Sequence, residues 1–314
     1  MQRSIGAIFE LEFEKIMNSK SSTTRLPHFV IIGAMKSATS SLYEQLVEHP
    51  GIFMCTPKEP NFFSDDAQFA KGMPWYAGLF NAAPARSLLG EASTHYTKLP
   101  TYPKTIARLK EHLPNARLVY VMRHPVDRLV SHYMHEWSTG VYRCGIDEAI
   151  EQYPELIAYG CYALQLEPYF AAFGRAAVLP VFFDRLLGQP QVELERICRF
   201  IGYQGHPVWR HDLKPDNVSS ERIRKFPGYQ LLVESTPATW LRRHFIPQGL
   251  RNIIKSKLRI QKRPVLGEDA RARLEAEFDH DLAQLGKWLG INLDCKSFKQ
   301  VTSATSLNWI VADV

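Results

Sequence analysis

The chain has no run of about 18 uninterrupted apolar residues, so it offers no transmembrane helix. Near the N-terminus, Ile5 to Met17 is broken by Glu10, Glu12 and Glu14, which a secretory hydrophobic region would not carry. Cysteine is sparse. Cys55, Cys144, Cys161, Cys198 and Cys295 are odd in number, scattered and without a C-x-x-C pair. They read as reduced, mostly buried small hydrophobes, which points to a cytoplasmic protein. There is no H-E-x-x-H pair among the histidines, and His49, His124 and His132 read as structural or rim residues. No acidic cluster suited to Mg²⁺ accompanies the phosphate loop described below, so no metal is expected. Internal repeats, low-complexity segments and nucleic-acid-binding modules are also absent.

What is present describes an ordinary globular chain of 314 residues, 45% hydrophobic and 22% charged. That length suits one large α/β domain whose core needs no disulfide or metal. The formal net charge is +6. Arg242, Arg243, Arg251, Lys255, Lys257, Arg259, Lys262 and Arg263 fall in one stretch without an acidic residue, and alone exceed that excess. Such a stretch suits an anionic partner: a nucleotide phosphate, an acidic glycan, or a lipid surface contacted peripherally through 240–264. A solvated helix face with its counter-charges elsewhere is the plainer alternative. Nucleic acid is not expected as a partner.

Residues 1–25 read as a flexible arm. The apolar, β-branched run Phe29–Ile32 predicts a buried parallel strand, followed by a helix over Ala38–Glu48. Further strands are expected at 52–54, 87–91, 117–122 and 177–183, and helices at 103–112, 126–137, 161–173, 191–201 and 268–289. Strand and helix alternate to about residue 200. This predicts an α/β, P-loop-type three-layer fold, with a central parallel sheet flanked by helices and a helical C-terminal part. The domain is expected over 26–296, with 297–314 as a tail.

Between the first strand and its helix lies Gly33-Ala34-Met35-Lys36-Ser37-Ala38-Thr39-Ser40-Ser41. A strand–loop–helix of this kind is an anion site, because backbone N–H groups and the positive end of the helix face the loop. Lys36 adds a charge, and Ser37, Thr39 and Ser40 add hydroxyl donors. It is not the triphosphate loop G-x-x-x-x-G-K-[ST], since the second glycine is missing and the spacing to Lys36 is short. The alternative is a helix start capped by Ser37 or Thr39, with Lys36 solvated.

Two further segments sharpen the reading. One is Lys58-Glu59-Pro60-Asn61-Phe62-Phe63. The other runs from Val119 through Arg123-His124-Pro125 to Ser131-His132-Tyr133. With the phosphate loop, these resemble the signatures of the sulfotransferases that use 3′-phosphoadenylyl sulfate (PAPS), in the branch of the heparan sulfate sulfotransferases and their bacterial relatives. The resemblance covers roughly 28–202, with a weaker echo to about residue 294.

The resemblance implies that Lys36, Ser37, Ala38, Thr39 and Ser40 cradle the 5′-phosphosulfate of PAPS, and that Arg123 and Ser131 grip its 3′-phosphate. An arginine fork and a hydroxyl suit a phosphate dianion. The plainer readings are a salt bridge from Arg123 to Asp127 and an exposed Ser131. Glu59 maps to the catalytic base, which a neutral acceptor hydroxyl needs. Its plainer fate is an ion pair with Lys58. Lys262 and Arg263 stand where the family has a Gly-rich basic loop, and Asn61 and Tyr162 fall on the acceptor side.

Three departures concern the acceptor half. Asn61 and Ser64 occupy positions where the heparan sulfate enzymes carry His and Asp. Glu91-Ala92-Ser93-Thr94 replaces their Glu-Lys-Ser-Pro, losing a lysine. Gln261-Lys262-Arg263-Pro264 only partly represents the basic loop. The expectation is therefore metal-independent, in-line transfer from PAPS to a hydroxyl, or less favourably an amine. The acceptor is expected to be a saccharide, glycolipid, lipid-linked sugar or small metabolite rather than heparan sulfate by default. Two rivals are kept: an Mg²⁺-dependent, ATP-using kinase-like enzyme and a non-catalytic PAPS-binding protein.

Overall fold

The computed structural model describes residues 25–213 and 264–310. The arm expected over 1–25, apart from Arg25, lies outside the described residues. So does nearly all of the basic stretch, including Lys262 and Arg263.

Five parallel strands form one sheet in the order β2-β3-β1-β4-β5. They are β1 (Phe29–Gly33), β2 (Ile52–Met54), β3 (Leu88–Ala92), β4 (Arg117–Met122) and β5 (Val178–Phe182). The predicted alternation with helices holds. The main helices are α1 (Thr39–Val47), α2 (Thr105–His112), α3 (Pro125–Thr139), α4 (Tyr162–Phe173), α5 (Pro190–Ile201), α6 (Glu268–Leu289) and α7 (Phe298–Ala304). None of the described helices is long and apolar enough to cross a membrane.

The period of two along each strand divides the core into two layers. Val30, Ile32, Leu118, Tyr120 and Met122 face the larger layer, with apolar residues of α2, α3, α4 and α6. Phe29, Ile31, Val119 and Val121 face the smaller one, where Leu42 and Leu46 of α1 meet Leu194, Ile197 and Ile201 of α5. The result is helix, sheet, helix, as a sheet buried on both faces requires.

Helix α6 shows a stripe of Leu274, Phe278, Leu282 and Leu285, all buried at helical spacing. Its Asp281 reaches back to α4 and accepts the Ala163 and Leu164 N–H groups at 2.9 and 3.0 Å, capping that helix.

The stretch expected as a C-terminal tail is not one over its described part. Phe298, Leu307 and Trp309 are buried. The Trp309 indole donates to the Val178 carbonyl of edge strand β5 at 2.7 Å, and Ile310 N–H to Trp288 O at 2.7 Å. The domain therefore continues to at least residue 310.

Candidate functional site

The sheet's parallel strands deliver the sequence motifs to one end, the carboxyl ends of β1, β3 and β4, where ligands of open α/β sheets bind. At the end of β1 the chain turns through Lys36 (φ 68) and Ala38 (φ 66), both in the left-handed region. Gly33 opens this turn and has no room for a side chain: a Cβ there would sit 2.0 Å from Thr97 Oγ1, whose hydroxyl donates to Ile32 O at 2.9 Å.

Ala38 is the N-cap of α1, and no side chain caps that helix. The capped-helix alternative for Ser37 and Thr39 is therefore not what forms. Ser37 is fully buried, and its Oγ has no hydrogen-bond partner among the described residues. An uncapped helix start beside an unsatisfied buried hydroxyl is a donor set without its acceptor, which suits an anion.

Arg123 follows β4 and enters α3 through Pro125 at the first helical turn, the position proline favours. Its guanidinium donates to Lys36 O at 3.3 Å and lies 4.5 Å over the Phe183 ring. Asp127, considered as its salt-bridge partner, pairs with Lys299 at 2.6 Å. Ser131 is buried on α3.

Glu59 sits where the chain passes back over the ends of β1 and β3. The Lys58 ammonium donates to Glu59 Oε1 at 3.0 Å and to Ser40 Oγ of the phosphate loop at 2.9 Å. The ion pair foreseen as the plainer fate of Glu59 is thus real, and it ties the carboxylate to the anion loop. Thr94 donates to the other oxygen, Oε2, at 3.3 Å. The Glu59 side chain remains 31% exposed, open to a ligand.

On the acceptor side, Asn61 stands beside Glu59, with its amide N–H bonded to Ser93 Oγ at 3.1 Å. Tyr162 needs correction. It is fully buried, and its hydroxyl accepts the Arg123 N–H at 3.2 Å while donating to the Arg123 carbonyl. With no exposed surface it cannot line an acceptor pocket; it holds the turn that presents Arg123.

Two groups within electrostatic reach of Glu59 carry no motif in the sequence. Lys98 is only 9% exposed, with its ammonium 5.7 Å from the centre of the Tyr159 ring. Burial pulls it down to about 8, although the Glu59 and Glu136 carboxylates oppose this. His95 stacks on Tyr102 at 4.8 Å, and burial, with Lys98 nearby, brings it down to about 4. Lys98 comes from the turn after Thr97. No local signal in the sequence marks it, because only the fold brings it near Glu59.

The histidines read as structural or rim residues pack as follows. His49 bonds Gln45 O at 2.7 Å and the Val208 N–H at 2.9 Å. His124 lies 2.9 Å from Cys295 O, and His132 stacks on Tyr159.

A model of the sulfotransferase family matches residues 27–207. The mouse heparan sulfate glucosamine 3-O-sulfotransferase 3B1 is 31% identical over 196 residues, covering 59% of this chain and 48% of its own length. The membrane-associated sulfotransferase kil1 of Dictyostelium discoideum is 38% identical over 111 residues, covering 34% of this chain and 22% of its own. Among solved structures, a sulfotransferase from Alicyclobacillus acidocaldarius superposes with a TM-score of 0.60 at 25% identity, covering 86% of this chain and 98% of that one. The chain spans about half, or less, of the length of the curated heparan sulfate relatives it matches.

Proposed function

Because the chain belongs to the sulfotransferase family, we propose that it transfers a sulfo group from PAPS to a hydroxyl of a glycan, glycolipid or small-metabolite acceptor. The observation that carries this reading is the Glu59 carboxylate, tied through Lys58 to Ser40 of the phosphate loop. It sets a base beside an anion site, as sulfo transfer to a neutral hydroxyl requires.

The residues present fit PAPS. The N–H groups at the uncapped start of α1 and the Ser37 hydroxyl offer donors to the 5′-phosphosulfate. Arg123, braced by Tyr162, presents its guanidinium from the neighbouring strand end for the 3′-phosphate, with Ser131 buried on α3, the helix it leads into. Glu59 takes the acceptor proton as the new oxygen–sulfur bond forms. Lys36 and the loop N–H groups stabilise the charge that gathers on the departing 5′-phosphate. Thr94 and Lys58 hold the two carboxylate oxygens, so the base is oriented before the acceptor arrives. Free thiols at Cys55, Cys144, Cys161, Cys198 and Cys295 support a reducing, cytosolic compartment.

The test has two parts. Calorimetric titration with 3′-phosphoadenosine 5′-phosphate (PAP), ATP and 5′-AMP should show PAP binding at least ten-fold tighter than 5′-AMP, with the preference lost in Arg123→Ala. Tighter binding of ATP would point to a kinase-like enzyme instead. Transfer from ³⁵S-labelled PAPS into hexosamine oligosaccharides, a glycolipid and phenolic metabolites should then identify the acceptor class. Glu59→Gln should abolish that transfer with PAP affinity unchanged. PAP binding without transfer to any acceptor would mark a non-catalytic binding protein.

A further inference from the structure

The turn that carries Glu59 is held in an unfavourable backbone conformation. Glu59 (φ 57) and Asn61 (φ 51) are both left-handed and neither is glycine. Such residues persist only where the surroundings over-determine them. Here those surroundings are the last residues of β3 and the turn after it. Glu59 N–H donates to Ala92 O at 3.0 Å, and Asn61 N–H donates to the Ser93 hydroxyl oxygen at 3.1 Å.

Ser93 is itself fixed. Its N–H donates to Ile31 O at 3.0 Å, and its hydroxyl donates to Glu91 Oε1 at 2.7 Å. The Tyr76 hydroxyl donates to the other Glu91 oxygen, and both Glu91 and Ser93 are fully buried. A serine hydroxyl has one proton. Because Glu91 accepts the hydrogen bond from that proton, the lone pairs of Ser93 Oγ are left for the Asn61 N–H. The carboxylate thereby sets the direction of the whole chain of bonds, from Asn61 through Ser93 to Glu91.

We propose that Glu91 and Ser93 are positioning residues for the transfer: Ser93 holds the turn that aims Glu59, and Glu91 acts only through the Ser93 hydroxyl. The proposal rests on Glu59 being the base. A glutamine at 91 keeps one oxygen acceptor and puts an NH2 donor group where the second oxygen stood, facing two hydroxyls that both donate. One hydroxyl must then turn from donor to acceptor, and a Ser93 so turned loses the donated bond that fixes its hydroxyl beneath the Asn61 N–H.

The test compares Ser93→Ala, Glu91→Gln and the double variant with the wild type. Amide hydrogen exchange is read over residues 57–64, PAP affinity by calorimetry, and PAP release from PAPS with the acceptor panel above. In Ser93→Ala, exchange over 57–64 should rise at least ten-fold and turnover should fall at least ten-fold. PAP affinity should stay within two-fold, and the denaturant midpoint of the whole protein should move little. Glu91→Gln should reproduce these changes, and the double variant should be no worse than Ser93→Ala.

Unchanged exchange over 57–64 in Ser93→Ala would overturn the proposal, as would losses in the double variant equal to the product of the single ones. Should Glu91→Gln not fold, Ser93→Ala alone still decides the role of Ser93. Looser exchange with unchanged turnover would also overturn it, and Glu59→Gln then tells the two failures apart. If that variant too keeps its turnover, the base has been misassigned; if it is inactive, the base stands and the brace is without consequence.

Discussion

The Tyr162 hydroxyl makes two bonds to one residue: it accepts from the Arg123 N–H and donates to the Arg123 carbonyl, although 39 positions separate them. The peptide groups on either side of the arginine proposed to hold the 3′-phosphate are thereby satisfied by one side chain from α4. Tyr162→Phe keeps the ring and removes both bonds, leaving buried polar groups unpaired at a cost of about 1–3 kcal/mol. The expected outcome is a lower denaturant midpoint and PAP affinity weakened several-fold, with less loss of 5′-AMP affinity. Calorimetry on the two nucleotides checks it.

Gly90 lies in the middle of β3, between Phe29 of β1 and Met54 of β2 in register. Both neighbours lay their side chains over it, so a Cβ would meet Phe29 Cζ at 2.2 Å and Met54 Sδ at 2.6 Å. Gly90→Ala overpacks the sheet, which costs about 1–3 kcal/mol. Chemical denaturation should show this loss. Because Glu91 and Ser93 follow directly, turnover should fall further than PAP affinity.

Stability should drop on the acid side of neutrality. Burial brings His132 down to about 4, as it does His95, from an ordinary value near 6.5. Between those limits the unfolded chain binds protons that the folded chain refuses, so stability rises with pH and is lost as pH falls from about 6.5 toward 4. Each group accounts for roughly 3 kcal/mol of that fall. His132→Gln should flatten the decline in a series of unfolding curves between pH 4 and 7. An unchanged slope would mean that the ring is charged in the folded protein.

Lys98 acts with the same sign on the alkaline side. Its ammonium is buried and titrates near 8 in the folded protein, against 10.5 when unfolded. Between those values the unfolded chain again holds the extra proton, so stability rises with pH from about 8 to 10.5. Lys98→Met should therefore stabilise the protein at pH 7, by on the order of 2–3 kcal/mol, and the two stability curves should converge above pH 10.

The five strands and the anion loop were legible because their signals are local. A β-branched run such as Phe29–Ile32 is a strand wherever both faces are buried, and Gly33 to Ser41 keeps its chemistry within nine residues. Glu59 was legible only through the resemblance, since its distance from Ser40 depends on how β2 returns the chain. Lys58 was visible as an ion-pair partner but not as a tie to Ser40. Tyr162 was misread because a tyrosine at helical spacing does not disclose what its hydroxyl will meet 39 residues away. In Glu91-Ala92-Ser93-Thr94 the sequence shows only a missing lysine, while the brace proposed for Ser93 and Glu91 rests on contacts with Asn61 and Tyr76, 32 and 15 positions away. The stretch after Ser297 read as a tail because its apolar residues, Phe298, Leu307 and Trp309, are too far apart to show a period.

That last stretch decides how the molecule meets its neighbours in solution. Strand β5 ends the sheet, and an uncovered edge invites another chain to pair with it. With the Trp309 indole on the Val178 carbonyl, the Arg175 guanidinium on the Ile310 carbonyl at 3.0 Å and Arg196 on the Leu307 carbonyl, residues 307–310 lie across that flank of the fold. A polypeptide stopped at residue 296 would keep every proposed reacting group and still be a poor protein to handle. It would clump on concentration, and its soluble yield, more than its rate per molecule, would register the loss.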